Sequence, residues 1–595
     1  MMPASLLRKR TKTSPKYEQT EATYFFIITK ANFHIDFFLN ELIIDMQKKN
    51  ILSLNHEEAR AFFLSSESYH GFELPEYFEF DEILQFVYGK IADRRYEDCL
   101  ASGLKPDELP NVNHDILLNK DGKYAVRPII LANPYLYCFL VRELCSEPNW
   151  KALTECFSCF LVPRIQSCAI PVVPEKKEPF YKSSTILNWW SSIEQRSIEL
   201  SLQYRYMFVT DITNCYGSVN PQSIEWALNR RGTACQTDAN SGMAHNVQVL
   251  LRALQQGRNI GIPQGSEVFN FVSEIILGYA DLLLHERIDA AGIDVPYEIL
   301  RYRDDYRIFC NDKDVLEHIS YLLQQVLESL NFRMNSQKTK ISDSLVLDSI
   351  KSDKRFYIFN TPIFNKKGSD FDSFEKHLLY ILMFARQFPD SGQLKTLLSD
   401  LDRRMEEHLK PYDEKVMVVY PNGDGKFHEE TVKRQRRLWG GSVRAMSAVA
   451  TQIALENVSA CHYALRVISR MVCSLKDEKE RWNIIDLVCE KLRKLPNSKY
   501  NQLWLQNITY QRDKKNGRSP YDMRLCQLVA GNTSVDLWNN DWLKPELTQG
   551  FSVEPAVNRE VLGNITPIIT FREIRAYYEI DELDDSVYGL IDSLE

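Results

Sequence analysis

The sequence predicts an α/β unit followed by a large α-helical region. Three observations carry that reading. Between about 206 and 345, short apolar runs of strand length alternate with apolar residues at helical spacing. The segment "EILRYRDDYRIFC" (298–310) reads as strand, turn, strand. Beyond about 370 the 3.6-residue period dominates.

Taken in order, residues 31–205 mix helical patterns such as "FDEILQFVYGKIADRRYEDCL" with strand-like runs. One such run is "KYAVRPIILANPYLY" (123–137), opened by the turn signal "KDGK". Next come the apolar run "YMFVTDI" and the helical pattern "SEVFNFVSEIILGYADLLLHERI". "DVLEHISYLLQQVLESLNF" puts Leu316, Ile319, Leu322, Leu323, Val326, Leu327 and Leu330 on one helix face. "FEKHLLYILMFARQF", "SVRAMSAVATQIAL", "YALRVISRMVCSL" and "RWNIIDLVCEKLRKL" then follow as successive helices, like stacked hairpins without a strict repeat. Among them lies "YPNGDGKFHEETVKRQRRLWGG", which begins with turn chemistry and carries Lys433, Arg434, Arg436 and Arg437. That run reads either as a solvated face or as a phosphate contact. The expected units are a basic segment 1–30, a mixed region 31–205, the α/β unit 206–350 and the helical region 351–595. The tail from about 519 is acidic.

Composition narrows the class. A chain of 595 residues has length for roughly three to four domains. Net charge is −8, which excludes a generally basic coat but leaves room for a local basic groove. Thirteen cysteines, an odd number, argue against a closed disulfide framework. Cys156 and Cys159 form a lone "CFSC" without a second ligand pair, so reduced buried thiols are expected rather than zinc. The first residues, "MMPASLLRKRTKTSPK", are basic without an apolar core and do not read as a secretory signal. No run of ~18 uninterrupted apolar residues occurs, so no membrane span is expected and the chain reads as cytoplasmic.

Asp304 and Asp305 fall where the 298–310 hairpin would turn. Adjacent like charges in an apolar stretch are unfavourable unless cations sit between them or they face water. A turn lifts carboxylates from a rigid sheet, where Mg²⁺ favours their oxygens. Asp211 ends another apolar run and offers a third carboxylate on a neighbouring strand, enough for a two-metal clamp. Between these lies "GIPQGSEVFNF" (261–271). There Gly261 and Gly265 permit backbone approach to a ligand, Gln264 can hydrogen-bond a base or sugar edge, and Ser266 is placed to cap the following helix.

The series is an Asp after a strand, then GIPQGS before a helix, then Tyr-x-Asp-Asp at a hairpin, then "NSQKTKI" after a helix. It resembles the palm of reverse transcriptases. The resemblance implies a right-hand polymerase, with fingers in 31–205, a palm in 206–350 and a thumb-like or repeat region beyond. It implies that Asp211, Ile212, Asp304 and Asp305 hold two Mg²⁺ ions, with Mn²⁺ as the other ion of choice. Gln264 and Gly265 then lie along template and nucleotide, and Lys338 is the proton donor near the triphosphate. Tyr216, five residues after Asp211, resembles a steric gate selecting dNTPs, against the plainer reading of a core tyrosine. "YAVRPIILANPYLY" resembles the fingers motif, with Arg127 reaching the triphosphate or bracing the fingers. Arg303 would touch template or primer phosphate, or pair with a palm acid.

Arg127, Pro128, Asn133, Pro134 and Tyr137, followed by a long helical half, look like the bacterial defence-associated reverse transcriptases of the abortive-infection and unknown-group types. That branch implies antiphage defence. Its partners would be an RNA template or noncoding RNA, a DNA product and dNTPs, with a second polymerase subunit or a homo-oligomer. Group II intron-like and retron-like enzymes are the alternatives within the family. Other readings are an RNA polymerase or terminal transferase on the same palm, or a non-catalytic scaffold. "KRFYIFN" (354–360) is the nearest primer-grip candidate.

Overall fold

A computed structural model describes residues 50–570, apart from 92–93, 102, 120–123, 125, 174–187, 361–372, 420–426, 439 and 518–519. The basic first thirty residues, the "KDGK" turn and the acidic end beyond 570 lie outside the described residues.

Strands β1 (His114–Asn119) and β2 (Val126–Leu131) pair antiparallel. Helix α1 (Pro134–Leu144) follows at once, so the end of the strand-like run 123–137 is helix. The reason is local. Asn133 accepts the backbone N–H groups of Tyr135 and Leu136, and Pro134 takes the first helical position, where its missing N–H costs nothing. Helix α2 spans Glu147–Phe160.

A five-stranded sheet then forms in the order β3 (Ile165–Ser167), β5 (Tyr297–Tyr302), β6 (Asp305–Cys310), β4 (Tyr206–Asp211), β7 (Lys340–Ser342). β3 and β5 run parallel, and the other pairings are antiparallel. Between β4 and β5 lie the one-turn helix α3 (Cys215–Ser218) and the long helix α4 (Glu267–Ala290). After β6 comes α5 (Lys313–Ser329), capped by the Asp312 carboxylate on Asp314 N and Val315 N. Its buried stripe is Leu316, Ile319, Leu323, Val326 and Leu327, as its period predicts, with Leu322 at the margin.

Strand alternation gives the sheet two different faces. Phe208, Ile299, Tyr306 and Ile308 join the main core with α4 and α5. Met207, Leu300 and Phe309 point the other way, into a small second cluster with Ile193, Leu200 and Leu345. Asp211, Tyr302 and Asp305 share the parity of this second face and lie at its edge.

Helix α4 is long and apolar enough to cross a membrane, and 83% of its most apolar window is buried inside the protein. It is a core helix packed under the sheet. All thirteen cysteines are free; Cys156 is buried, its thiol pushed up to about 12 mainly by burial, and Cys159 is half-buried.

The second half is mostly helical: α6 (Phe374–Gln387), α7 (Gly392–Leu409), α8 (Gly440–Glu456), α9 (Cys461–Cys473), α10 (Glu478–Arg493) and α11 (Lys499–Lys515). Two features depart from the expected stack of helical hairpins. An antiparallel β8–β9 hairpin (Pro411–Val419 and Phe427–Gln435) interrupts it between α7 and α8. The segment after α11 also folds back onto the end of β2 and the start of α1: Trp538 Nε1 donates to Leu131 O, and Asn133 Nδ2 donates to Asn540 Oδ1. The suggested primer-grip segment 354–360 is helical, within Ser352–Asn360.

Candidate active site

The antiparallel register of β4 and β6 sets Asp211 directly opposite Asp305, and Tyr302 of β5 pairs with Asp305 from the other side. Arg303 and Asp304 alone make the turn between β5 and β6. Arg303 takes φ +53°, a conformation that such short turns normally give to Gly or Asn. Asp304 is drawn in beside Asp211, because its carbonyl accepts Ile212 N at 3.0 Å. Asp211 O in turn accepts Asn335 N at 2.9 Å, and Ile212 bridges Met334. One backbone network therefore joins Asp211, Ile212, Asp304 and Asp305 to the segment that carries Lys338.

Like charges directly opposite each other on a sheet are destabilising, and the site responds. Lys338 Nζ donates to Asp211 Oδ2 at 2.5 Å, a bond that raises the lysine's proton affinity. The lysine side chain is 67% exposed, so water weakens this pair and a ligand can displace it. Loss of water around Asp304, followed by the Asp211 charge, lifts the Asp304 carboxyl. Asp305 opens to solvent at its tip, yet the cleft walls and then the Asp304 charge push it up to about 6. Lys351, whose ammonium lies 4.3 Å from the Trp189 ring centre, pulls Asp305 the other way.

Two observations test whether the residues suit divalent cations. Asp211 Oδ1 is buried and has no hydrogen-bond partner among the described residues. The donors are hard oxygens, the set that Mg²⁺ and Mn²⁺ favour. Among the described residues, no three His, Cys, Asp or Glu side chains are gathered closely enough to hold a metal as they stand. Ile212 can contribute only its carbonyl, since its side chain has no donor atom.

Tyr216 sits on α3, half-buried, and its hydroxyl donates to Asn270 Oδ1 at 2.6 Å. Asn270 Nδ2 donates to Glu267 Oε2 at 2.9 Å, so the ring is tied to the first turn of α4. The glycines of the GIPQGS loop lie against the protein's own backbone. Gly261 N donates to Val219 O, and Ile262 N to Tyr216 O. Gly265, at φ +122°, lies so close to β2 that an added Cβ would meet Ile129 Cγ2 at 2.6 Å. Gly71 N also donates to Gly265 O, and Ile130 N to Gln264 O. The loop thus pins α3 to β2, while the half-buried Gln264 side chain remains at its surface. Ser266 occupies the N-cap position of α4, but its hydroxyl makes no capping bond.

Arg127 stands exposed on β2, with the same parity as Ile129. Asn133 and Tyr137 are structural. Asn133 caps α1, and Tyr137 Oη donates to Phe63 O at 2.7 Å in the core. Arg303 is half-buried, with its guanidinium 5.8 Å from the Tyr302 ring centre. Lys433 and Arg434 belong to β9, which pairs with β8 and with no other strand among the described residues, and Arg436 and Arg437 follow it; all four are exposed. Arg434 pairs with Glu414, and Arg436 lies 5.0 Å from the Tyr412 ring centre.

Sequence reasoning missed Arg301, Glu274 and Asp281. Arg301 is 0% exposed and bonds both carboxylates. The signal was present: two acids seven residues apart, on one face of an otherwise apolar helix, call for a buried cation.

Residues 154–358 match the family described as "Reverse transcriptase (RNA-dependent DNA polymerase)". No curated protein matches the chain. Solved structures that it resembles include apo telomerase from Candida tropicalis, at 12% identity over 71% of this chain and 74% of that one, with a TM-score of 0.27. Telomerase from the same organism in complex with a TWJ fragment of telomeric RNA gives 11% identity, 69% and 68% coverage and a TM-score of 0.28. The Candida albicans enzyme with the TWJ fragment gives 10%, 63%, 66% and 0.26. Reverse transcriptase domains generally use divalent metals. The chain therefore carries a reverse transcriptase family domain over residues 154–358, and that domain supports RNA-directed DNA polymerase activity.

Proposed function

We propose that this chain joins deoxynucleotides to a 3′-hydroxyl by two-metal phosphoryl transfer, and that it does so in bacterial antiphage defence. One observation carries the chemistry. The β4–β6 register sets Asp211 opposite Asp305, with Asp304 on the adjoining turn and Asp211 Oδ1 buried without a partner. These three carboxylates and the Ile212 carbonyl would hold two Mg²⁺ ions, or Mn²⁺ in their place. When bound, such cations lower the pKa of the attacking hydroxyl and neutralise the leaving pyrophosphate.

The protein's own groups supply position and protons. Lys338 leaves Asp211 as nucleotide arrives and gives a proton to the departing pyrophosphate. Tyr216 lies under the sugar, where its ring would clash with a 2′-hydroxyl, and its own hydroxyl is bonded to Asn270. Gln264 and Gly265 line template and nucleotide, and Arg127 meets the triphosphate with a fixed charge. In this reading residues 206–350 are the palm and 31–205 the fingers. The fingers segment and the long helical half favour the defence-associated branch, acting in the cytoplasm on an RNA template or a noncoding RNA. A second polymerase subunit or a second copy fits the same branch.

The test is primer extension by the full chain with dNTPs and Mg²⁺. Asp304→Ala should abolish incorporation while thermal stability holds or rises, since one of three crowded carboxylates is gone. Full incorporation by this variant would sink the assignment.

A further inference from the structure

Arg301 faces away from the carboxylate site, on the α4 side of the sheet, opposite Tyr306 in the β5–β6 ladder. It is fully buried, and its guanidinium is shared among four anchors. Nε donates to both oxygens of Asp281 at 2.8 and 3.1 Å, and Nη1 to both oxygens of Glu274 at 3.0 and 3.2 Å. Nη2 donates to Ser167 Oγ at 3.0 Å. Nη1 also donates to the carbonyl of Arg303 at 3.2 Å. Tyr306 Oη adds a bond to Asp281 Oδ1 at 3.3 Å, and Ser167 Oγ one to Glu274 Oε2 at 3.1 Å.

The last of the guanidinium's bonds is the informative one. Arg303 is the left-handed residue of the turn, and Asp304 is its neighbour. A left-handed non-glycine residue is uncommon, and it persists where its surroundings over-determine it. Here the surroundings are one planar cation clamped to helix α4 and strand β3. A lysine could not imitate it, because a single ammonium cannot span two carboxylates, a hydroxyl and a carbonyl in one plane.

We infer that Arg301 is the positioning residue of the carboxylate turn: by holding the Arg303 carbonyl against Glu274, Asp281 and Ser167, it sets where Asp304 and Asp305 stand relative to Asp211. It touches neither substrate nor metal and acts from the opposite face of the sheet. The inference rests on the reading that these carboxylates bind divalent cations.

The experiment measures Mn²⁺ binding to the full-length protein by the loss of the free-ion signal in electron paramagnetic resonance, and separately the Mg²⁺ dependence of primer extension. Arg301→Lys keeps the buried charge but loses the fork. Its Mn²⁺ dissociation constant should rise about 10–100-fold, the effect of removing a group that orients metal ligands. Half-saturating Mg²⁺ should rise in step, and primer–template affinity should stay at the wild-type value. Arg466→Lys is the control for general loosening, since Arg466 is another buried arginine, paired with Asp402 in the helical half. It should leave Mn²⁺ binding unchanged. Should Arg301→Lys fail to fold, Ser167→Ala removes one anchor and should weaken Mn²⁺ binding in the same direction by a smaller factor.

Wild-type Mn²⁺ affinity in Arg301→Lys, or in Ser167→Ala if that is the variant that folds, overturns the positioning role. An equal loss in Arg301→Lys and Arg466→Lys overturns it too. Asp304→Ala separates the two levels of the argument: if it binds Mn²⁺ like wild type, the metal site itself is wrong, whatever Arg301 does.

Discussion

Gly265→Ala probes the joint between the GIPQGS loop and β2. The new methyl would sit 2.6 Å from Ile129 Cγ2 and 2.9 Å from Ile130 O. Carbon contacts favour ~3.5–4.0 Å, so the methyl must retreat by roughly 1 Å. The Ile129 side chain could turn aside, but the Ile130 carbonyl belongs to a paired strand whose N–H already serves Gln264 O. Overpacking of this kind costs about 1–3 kcal/mol. The backbone conformation at φ +122° adds a further cost of about 1–3 kcal/mol for any L side chain. Gly531→Ala is the matched control: its φ is +92°, and nothing lies within 4 Å of the added carbon. It carries a backbone cost alone. Urea unfolding followed by tryptophan fluorescence should therefore place Gly265→Ala below Gly531→Ala by about 1–3 kcal/mol. Nucleotide affinity per folded molecule should fall for Gly265→Ala alone. Identical unfolding midpoints for the two variants would refute the close-approach argument.

Tyr216→Ala should raise ribonucleotide incorporation, whereas Tyr216→Phe, which loses only the bond to Asn270, should keep most of the selectivity; an unchanged dNTP/rNTP ratio in Tyr216→Ala would return the ring to a core role. Burial, then the charges of Arg524 and Lys499, lowers His114 from 6.5 to about 4. Its neutral form is the one the fold accepts, so its contribution is complete above pH 6.5 and is lost as pH falls towards 4. The loss reaches roughly 3 kcal/mol at the bottom of that window. A pH-stability curve should flatten there in His114→Gln, and an unaltered curve would reject the assignment. Replacing Lys433, Arg434, Arg436 and Arg437 together by Ala should weaken retention of nucleic acid and flatten its salt dependence, as expected when phosphate contacts are lost. Equal slopes for variant and wild type would leave the hairpin a solvated one.

Much of this molecule was legible in one dimension, for a physical reason. Helix α5 announces itself because a 3.6-residue apolar period has one stable use, a buried stripe, and Asp312 caps it as such residues do. The β5–β6 hairpin is equally local: two strand-like runs meet at a two-residue turn, which puts Asp304 in the turn and Asp305 at the first position of β6. Asp211, GIPQGS and Lys338 were found by their order along the chain, not by contact.

Contact is what tertiary structure decided. The pairing of Asp211 with Asp305, and the reach of Lys338 across 127 residues to Asp211, depend on strand register, which no local pattern encodes. The glycines of the loop answer to α3 and β2, elements that lie far away in sequence. The β8–β9 hairpin was hidden for the opposite reason. Strand β9 is rich in charge and its residues 431–435 are exposed, so no apolar alternation marks it, and it pairs with β8. Arg301 is the clearest case. Its charge, read along the chain, belongs on a surface; it is buried because Glu274 and Asp281 of a helix laid down earlier meet it under the sheet. Sequence determines which groups are available and which short segments are regular. The neighbours of a charge are set when distant elements pack, and those neighbours decide what the charge can do.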